Sequence, residues 1–128
     1  MTSKSYPRII ANFVTDDNGN PTYREIDNKN HYLISFEVEN APANCYEATF
    51  VLDPSYYDPR QTRRPDSDGK FRLKTTTYGD YDVKVLLRTR DGNDQTILAN
   101  LTMALRTSMR NDTDRSTFAN ALTYIATH

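Results

Sequence analysis

The chain has one cysteine, no tryptophan and no long apolar run, and each shortage removes a class of protein. Cys45 alone cannot build a disulfide framework or a cysteine-based zinc cluster. No stretch approaches the roughly 20 apolar residues of a membrane span, and the start, M-T-S-K-S-Y-P-R-I-I-A-N-F, contains no apolar leader segment. Strong charge of either sign is also missing. Sixteen Lys and Arg against 17 Asp and Glu leave a formal net charge of -1, and the pI is near 6.1, which argues against a general nucleic-acid binder. His31 and His128 have no companion at metal-ligand spacing, and neither makes a convincing nucleophile pair with Cys45. The expectation is a soluble cytoplasmic protein with no cofactor, no nucleic-acid or membrane partner and no enzymatic activity.

What is present suits one globular domain. At 128 residues, 37% hydrophobic and 26% charged, the chain can bury a sizeable core. Its aromatics are nine Tyr and five Phe, residues that favour half-buried strand faces. Alternation of apolar and polar residues predicts strands over Pro7–Val14, Thr22–Ile26, His31–Glu39, Cys45–Leu52, Phe71–Thr76, Tyr81–Arg90 and Ile97–Leu105. In the fourth of these, Tyr46, Ala48, Phe50 and Leu52 are assigned to the inward face. For Ile97–Leu105 a helix is the alternative, since Ile97, Leu101 and Leu105 share helical spacing; the Asp91-Gly92-Asn93-Asp94 turn just before favours a hairpin strand.

Asp16-Asp17-Asn18-Gly19-Asn20 reads as a hairpin turn rather than a calcium loop, because its glycine comes too early and no Glu closes it. Asp58–Lys70, with Pro59 and Pro65, reads as a long polar loop whose Arg60, Arg63 and Arg64 are offset by Asp58, Asp66 and Asp68. The tail changes character. Asp112 or Asp114 can cap a helix, and Phe118, Leu122 and Ile125 form a stripe that packs on the sandwich or docks a partner. The fold class is therefore all-β, an immunoglobulin-like sandwich of about seven or eight strands over 1–110, with a C-terminal helix over 111–128.

Two tyrosine-bearing turns stand out, Ser55-Tyr56-Tyr57 and Thr77-Tyr78-Gly79. In a sandwich both can lie at the same end and frame a polar notch suited to binding. Aromatic faces stack on a flat amide or a cation, and serine offers a donor and acceptors. The plainer reading is that the tyrosines cover the sandwich end. Asp53, Asp58 and Asp80 could converge as carboxylates, although loop aspartates are mostly turn formers.

At Val51-Leu52-Asp53-Pro54-Ser55-Tyr56 and Tyr78-Gly79-Asp80-Tyr81 the chain resembles a YEATS domain of the prokaryotic group, over roughly Tyr32 to Leu105. The resemblance implies an immunoglobulin-like sandwich whose end loops read an acylated lysine. Aromatics from the two turns would hold the flat acyl group, and a serine hydroxyl and a backbone amide would hydrogen-bond the acyl-amide. Carried onto this chain, the ligand-binding set is Asp53, Ser55, Tyr56, Thr77, Tyr78 and Gly79. Tyr56 and Tyr78 would be the clamping rings, Ser55 the hydroxyl, and Tyr78 or its neighbour the amide. Asp53 stands where the family has histidine, and Thr77 and Asp80 stand where it has glycine, so two carboxylates would favour a ligand carrying positive charge or donors. The implied role is a sensor or adaptor in prokaryotic signalling that binds an acylated peptide or small molecule, with an effector protein as a further partner. The alternative is an assembly module that uses a sheet edge or the C-terminal helix.

Overall fold

The structure is a computed structural model and describes residues 6–109 and 116–128. Eight strands form two antiparallel sheets: β1 (Arg8–Phe13), β2 (Tyr23–Ile26), β3 (Lys29–Glu39), β4 (Cys45–Val51), β5 (Arg60–Arg63), β6 (Arg72–Thr77), β7 (Asp82–Thr89) and β8 (Gln95–Asn100). After them come two helices, α1 (Leu101–Ser108) and α2 (Ser116–Thr127). The architecture is an immunoglobulin-like sandwich with a C-terminal helix.

The first sheet is built around β3, an 11-residue strand that carries β6 on one edge and β1 and β2 end to end on the other. The second sheet runs β5-β4-β7-β8. Period-2 alternation turns Ile34, Phe36 and Val38 of β3 toward Ala48 and Phe50 of β4 and Val83, Val85 and Leu87 of β7, all of them buried. Phe36 stacks on Phe50 across the sandwich, with ring centroids 6.4 Å apart. Burying a side chain of this size contributes about 1.5–3 kcal/mol, so this interior is the main source of stability.

Four local expectations are corrected. Residues 16–20 do form a turn, with the Asp16 carboxylate accepting the N–H groups of Asn18 and Asn20. However, β1 and β2 do not pair as a hairpin. Across the turn there is only the Thr15–Pro21 bridge, and β2 instead forms a hairpin with β3 through Asp27 and Asn28, both at positive φ. Tyr46 is not inward, because a bulge between Cys45 and Glu47 rotates it to the surface and buries Cys45 in its place.

Within the expected 58–70 loop lies β5, which pairs with β4 over Arg60–Arg63. It has no apolar alternation to announce it, and its anchor is polar: the Thr62 and Thr49 hydroxyls lie 3.0 Å apart. Lastly, the strand expected to run to Leu105 ends at Asn100. Asn100 caps α1 by accepting the Met103 N–H, so Ile97 stays in the strand and the helical alternative holds from Leu101 onward. Leu101 and Leu105 are fully buried where α1 packs against β1, whereas Leu98 on edge strand β8 is 70% exposed.

The stripe of α2 packs on the sandwich. Phe118, Ala121 and Ile125 are buried and Leu122 is partly so, which leaves no free apolar stripe for a partner. Phe118 meets Phe13 edge-on, and the Tyr124 hydroxyl accepts the Asn30 N–H at 2.9 Å, fixing α2 to the β2–β3 turn. The expected caps Asp112 and Asp114 lie outside the described residues. Among the described residues no helix is long and apolar enough to cross a membrane, and no group of three or more His, Cys, Asp or Glu could hold a metal ion.

Candidate functional site

The chain leaves β4 at Leu52, whose buried side chain anchors the start of a tight turn. Pro54 cannot continue a ladder, and Asp53 organises the turn around it. The Asp53 carboxylate accepts the Ser55 N–H at 3.0 Å, and the Asp53 carbonyl accepts the Tyr56 N–H at 3.1 Å. The Ser55 hydroxyl, and secondarily its N–H, hold the Asp53 carboxyl below the usual carboxylate range. The turn therefore projects Tyr56 toward the other sheet, where its hydroxyl donates to the Thr76 carbonyl of β6.

The Tyr56 and Tyr81 hydroxyls lie 3.1 Å apart, and their rings meet edge-on at 5.6 Å. A carbonyl can only accept, so the single Tyr56 proton lies on Thr76 and Tyr81 supplies the proton between the two phenols. Burial pushes both phenols above the ordinary tyrosine range.

The facing turn comes directly after β6. Thr77 is buried, and its hydroxyl donates to the Gly79 carbonyl at 2.6 Å and accepts the Gly79 N–H at 3.3 Å. Burial alone would raise the Asp80 carboxyl. Hydrogen bonds from Asn100 and Thr102 outweigh that and hold it low, with Asn100 Nδ2 and the Thr102 N–H each at 3.0 Å. The turn before β7 is thereby tied to the start of α1. Gly79 is required for close packing: a Cβ there would lie 2.8 Å from the backbone carbonyl carbon of His128.

Strand alternation decides which way the backbone of this turn faces. Leu33 of β3 bonds outward to Val14 and Thr22, so its neighbour Thr76 is not bonded to β3. The Thr76 carbonyl, and by the same alternation the Tyr78 N–H, face the edge where Tyr56 lies.

Together the two turns enclose a cavity of about 330 Å³ bordered by Asp53, Ser55, Tyr56, Thr77, Tyr78 and Gly79, the whole set expected from the sequence. Within the set the geometry separates roles. Thr77 and Asp53 commit their polar atoms to the turns, and Tyr56 is locked by its hydrogen bond. Tyr56 and Tyr78 do not stack on each other; Tyr78 instead packs on His31 at 5.1 Å, with Lys29 Nζ 4.5 Å from its ring centroid. Asp80 also borders the cavity, whereas Asp58 does not. Both lining carboxylates are already hydrogen-bonded, Asp53 within its own turn and Asp80 to Asn100 and Thr102, so the expected pull toward a cationic ligand is weakened.

Sequence reasoning missed His31, His128, Thr76 and Tyr81 as wall residues. His31 is a consequence of strand register, since Tyr32 pairs with Thr77 and sets His31 beside Tyr78. His128 had no signal in the sequence; it arrives only because α2 docks where it does. A second cavity of about 340 Å³ is bordered by Asp16, Asn20, Tyr23, Tyr32 and Thr117 and shares no residue with the first.

No curated protein matches the chain. The model of the prokaryotic YEATS domain matches residues 32–102, a span that contains both turns and all six expected site residues. YEATS domains are binding modules. The chain belongs to the prokaryotic YEATS domain family.

Proposed function

We propose that this chain is a non-catalytic reader that takes an acylated lysine, or a small ligand with a similarly flat amide, into the tyrosine-rimmed cavity at the sandwich end. One observation carries the reading: two turns more than 20 residues apart in sequence converge on a single cavity of about 330 Å³, within the size range of small-ligand sites. Tyr56, immobilised on Thr76, gives one rigid aromatic wall, and Tyr78, backed by His31 and Lys29, gives another. Such pre-set walls lose little freedom on binding. The Tyr78 N–H faces the same edge as a donor for the acyl carbonyl, and Ser55 retains acceptor lone pairs for the amide N–H. The corresponding role is a cytoplasmic sensor or adaptor in prokaryotic signalling, which passes occupancy to an effector protein.

The test is an NMR titration of the ¹⁵N-labelled domain with lysine peptides carrying acetyl, propionyl and crotonyl groups. Shifts confined to Ser55, Tyr56, Tyr78 and Gly79, and abolished in Tyr78→Ala while the remaining spectrum is preserved, support the reading. Absence of shifts with every acyl group at millimolar peptide retires it.

A further inference from the structure

His128 borders the cavity, although it lies outside the segment that matches the family and directly follows α2 rather than belonging to either turn. Its ring is held on two sides. It stacks on Tyr124 with centroids 3.8 Å apart and planes within 14°, and its Nδ1 lies 2.7 Å from the Tyr124 carbonyl oxygen. A carbonyl oxygen can only accept, so Nδ1 carries the proton. In the neutral ring Nε2 is then the unprotonated nitrogen, and it has no partner among the described residues. Tyr124 is itself fixed by the Asn30 N–H on its hydroxyl and by Tyr32 against its ring, so the orientation of the imidazole is inherited from the core. The His128 backbone and Cβ rest on Gly79, which sets the residue beside the 76–81 turn.

Several other polar side chains of the wall are already committed. Asp53 and Thr77 are bonded within their turns, Asp80 is bonded to Asn100 and Thr102, and the Tyr56 and Tyr81 hydroxyls bond each other and Thr76. His128 Nε2 is thus an acceptor of fixed direction that no described residue uses.

We infer that His128 is a specificity-determining residue of this cavity, whose neutral Nε2 accepts a hydrogen bond from a hydroxyl or N–H on the ligand, so that hydroxyacylated lysine is preferred over plain acyl-lysine. The inference rests on the acyl-lysine reading above and adds to it a donor on the acyl chain. Ser55 serves the amide, and His128 serves the substituent beyond it.

The experiment compares two probes, a crotonyl-lysine peptide and a 3-hydroxybutyryl-lysine peptide of the same sequence, by calorimetry near pH 8, above the ordinary imidazole range. One additional hydrogen bond to a preorganised acceptor corresponds to about 5- to 10-fold in Kd. The expected result is a preference of that size for the hydroxyacyl peptide in the wild type. His128→Ala should abolish the preference, and His128→Gln, which restores a carbonyl acceptor, should recover part of it. A wall residue that acts only by packing would weaken both peptides equally and leave their ratio unchanged, and that outcome overturns the inference.

Crotonyl binding with no hydroxyacyl preference also overturns it while leaving the acyl-lysine reading intact. Failure of both peptides to bind removes the reading and the inference together. A long-range ¹H–¹⁵N spectrum of the free protein gives a readout that needs no ligand: the Nδ1–H tautomer is expected at His128, and the Nε2–H tautomer refutes the assignment.

Discussion

Replacing Asp80 with alanine should destabilise the whole sandwich, because this carboxylate joins the turn after β6 to α1. Oδ1 accepts the Thr102 N–H, one of the helix-start donors that have no partner inside α1, and Oδ2 accepts Asn100 Nδ2. Asn100 in turn caps Met103 through its own oxygen. Hydrogen bonds to a charged acceptor contribute about 1.5–3 kcal/mol each when desolvated. Asp80 is an exposed residue, so screening reduces the pair to a total of about 2 kcal/mol.

With a urea m-value of about 2 kcal/mol/M, the midpoint of Asp80→Ala should fall by about 1 M. Asp80→Asn keeps an acceptor for Thr102 but sets its amide NH₂ against that of Asn100, so it should fall by about half as much. The folded Asp80 carboxyl is held below its usual range. Its contribution is therefore complete above the unfolded value of about 3.9 and disappears as pH drops through the lower folded value. The difference between wild type and Asp80→Ala should be full at neutral pH and close in the acid region below the unfolded value. An unchanged urea midpoint in Asp80→Ala, or a difference that persists undiminished in acid, would refute the reasoning.

Three further predictions concern the same frame. Tyr81→Phe removes the proton that Tyr81 supplies to Tyr56 and should cost about 1 kcal/mol in urea unfolding, with shifts centred on Tyr56 and Thr76; a neutral substitution would place that proton elsewhere. Gly79→Ala drives a Cβ to 2.8 Å from the His128 backbone, an overpacking of about 1–3 kcal/mol, and should move the amide signals at the end of α2. Leu105→Ala in α1 empties a fully buried site and should cost about 2–5 kcal/mol, whereas Leu98→Ala on β8 should lie within about 0.5 kcal/mol of wild type.

The strands that build the interior were legible because their alternation is strict. In β3 and β7, apolar residues occupy every second position and the interior forms where that pattern points. The two turns were legible through Pro54, Ser55 and Gly79, whose chemistry ends one strand and allows close approach in the other turn. β5 was not legible because an edge strand of Arg, Gln and Thr buries little and has no apolar period.

α1 was ambiguous because Ile97, Leu101 and Leu105 fit both periods. The deciding groups are the Asn100 cap and the Asp80 carboxylate, and the latter lies 20 residues away in sequence. The cavity wall was legible only where its residues come from the turns themselves. His31 enters through strand register and His128 through the docking of Tyr124 on Asn30, both of them tertiary facts.

The most direct test of the proposed binding site is a set of intermolecular NOEs from the acyl methyl protons of a crotonyl-lysine peptide to aromatic protons of the domain. Contacts are expected to the rings of Tyr56 and Tyr78, which border the cavity between the two turns. Binding accompanied by contacts to Tyr23 and Tyr32, in the separate cleft beneath the β2–β3 hairpin, would contradict that expectation.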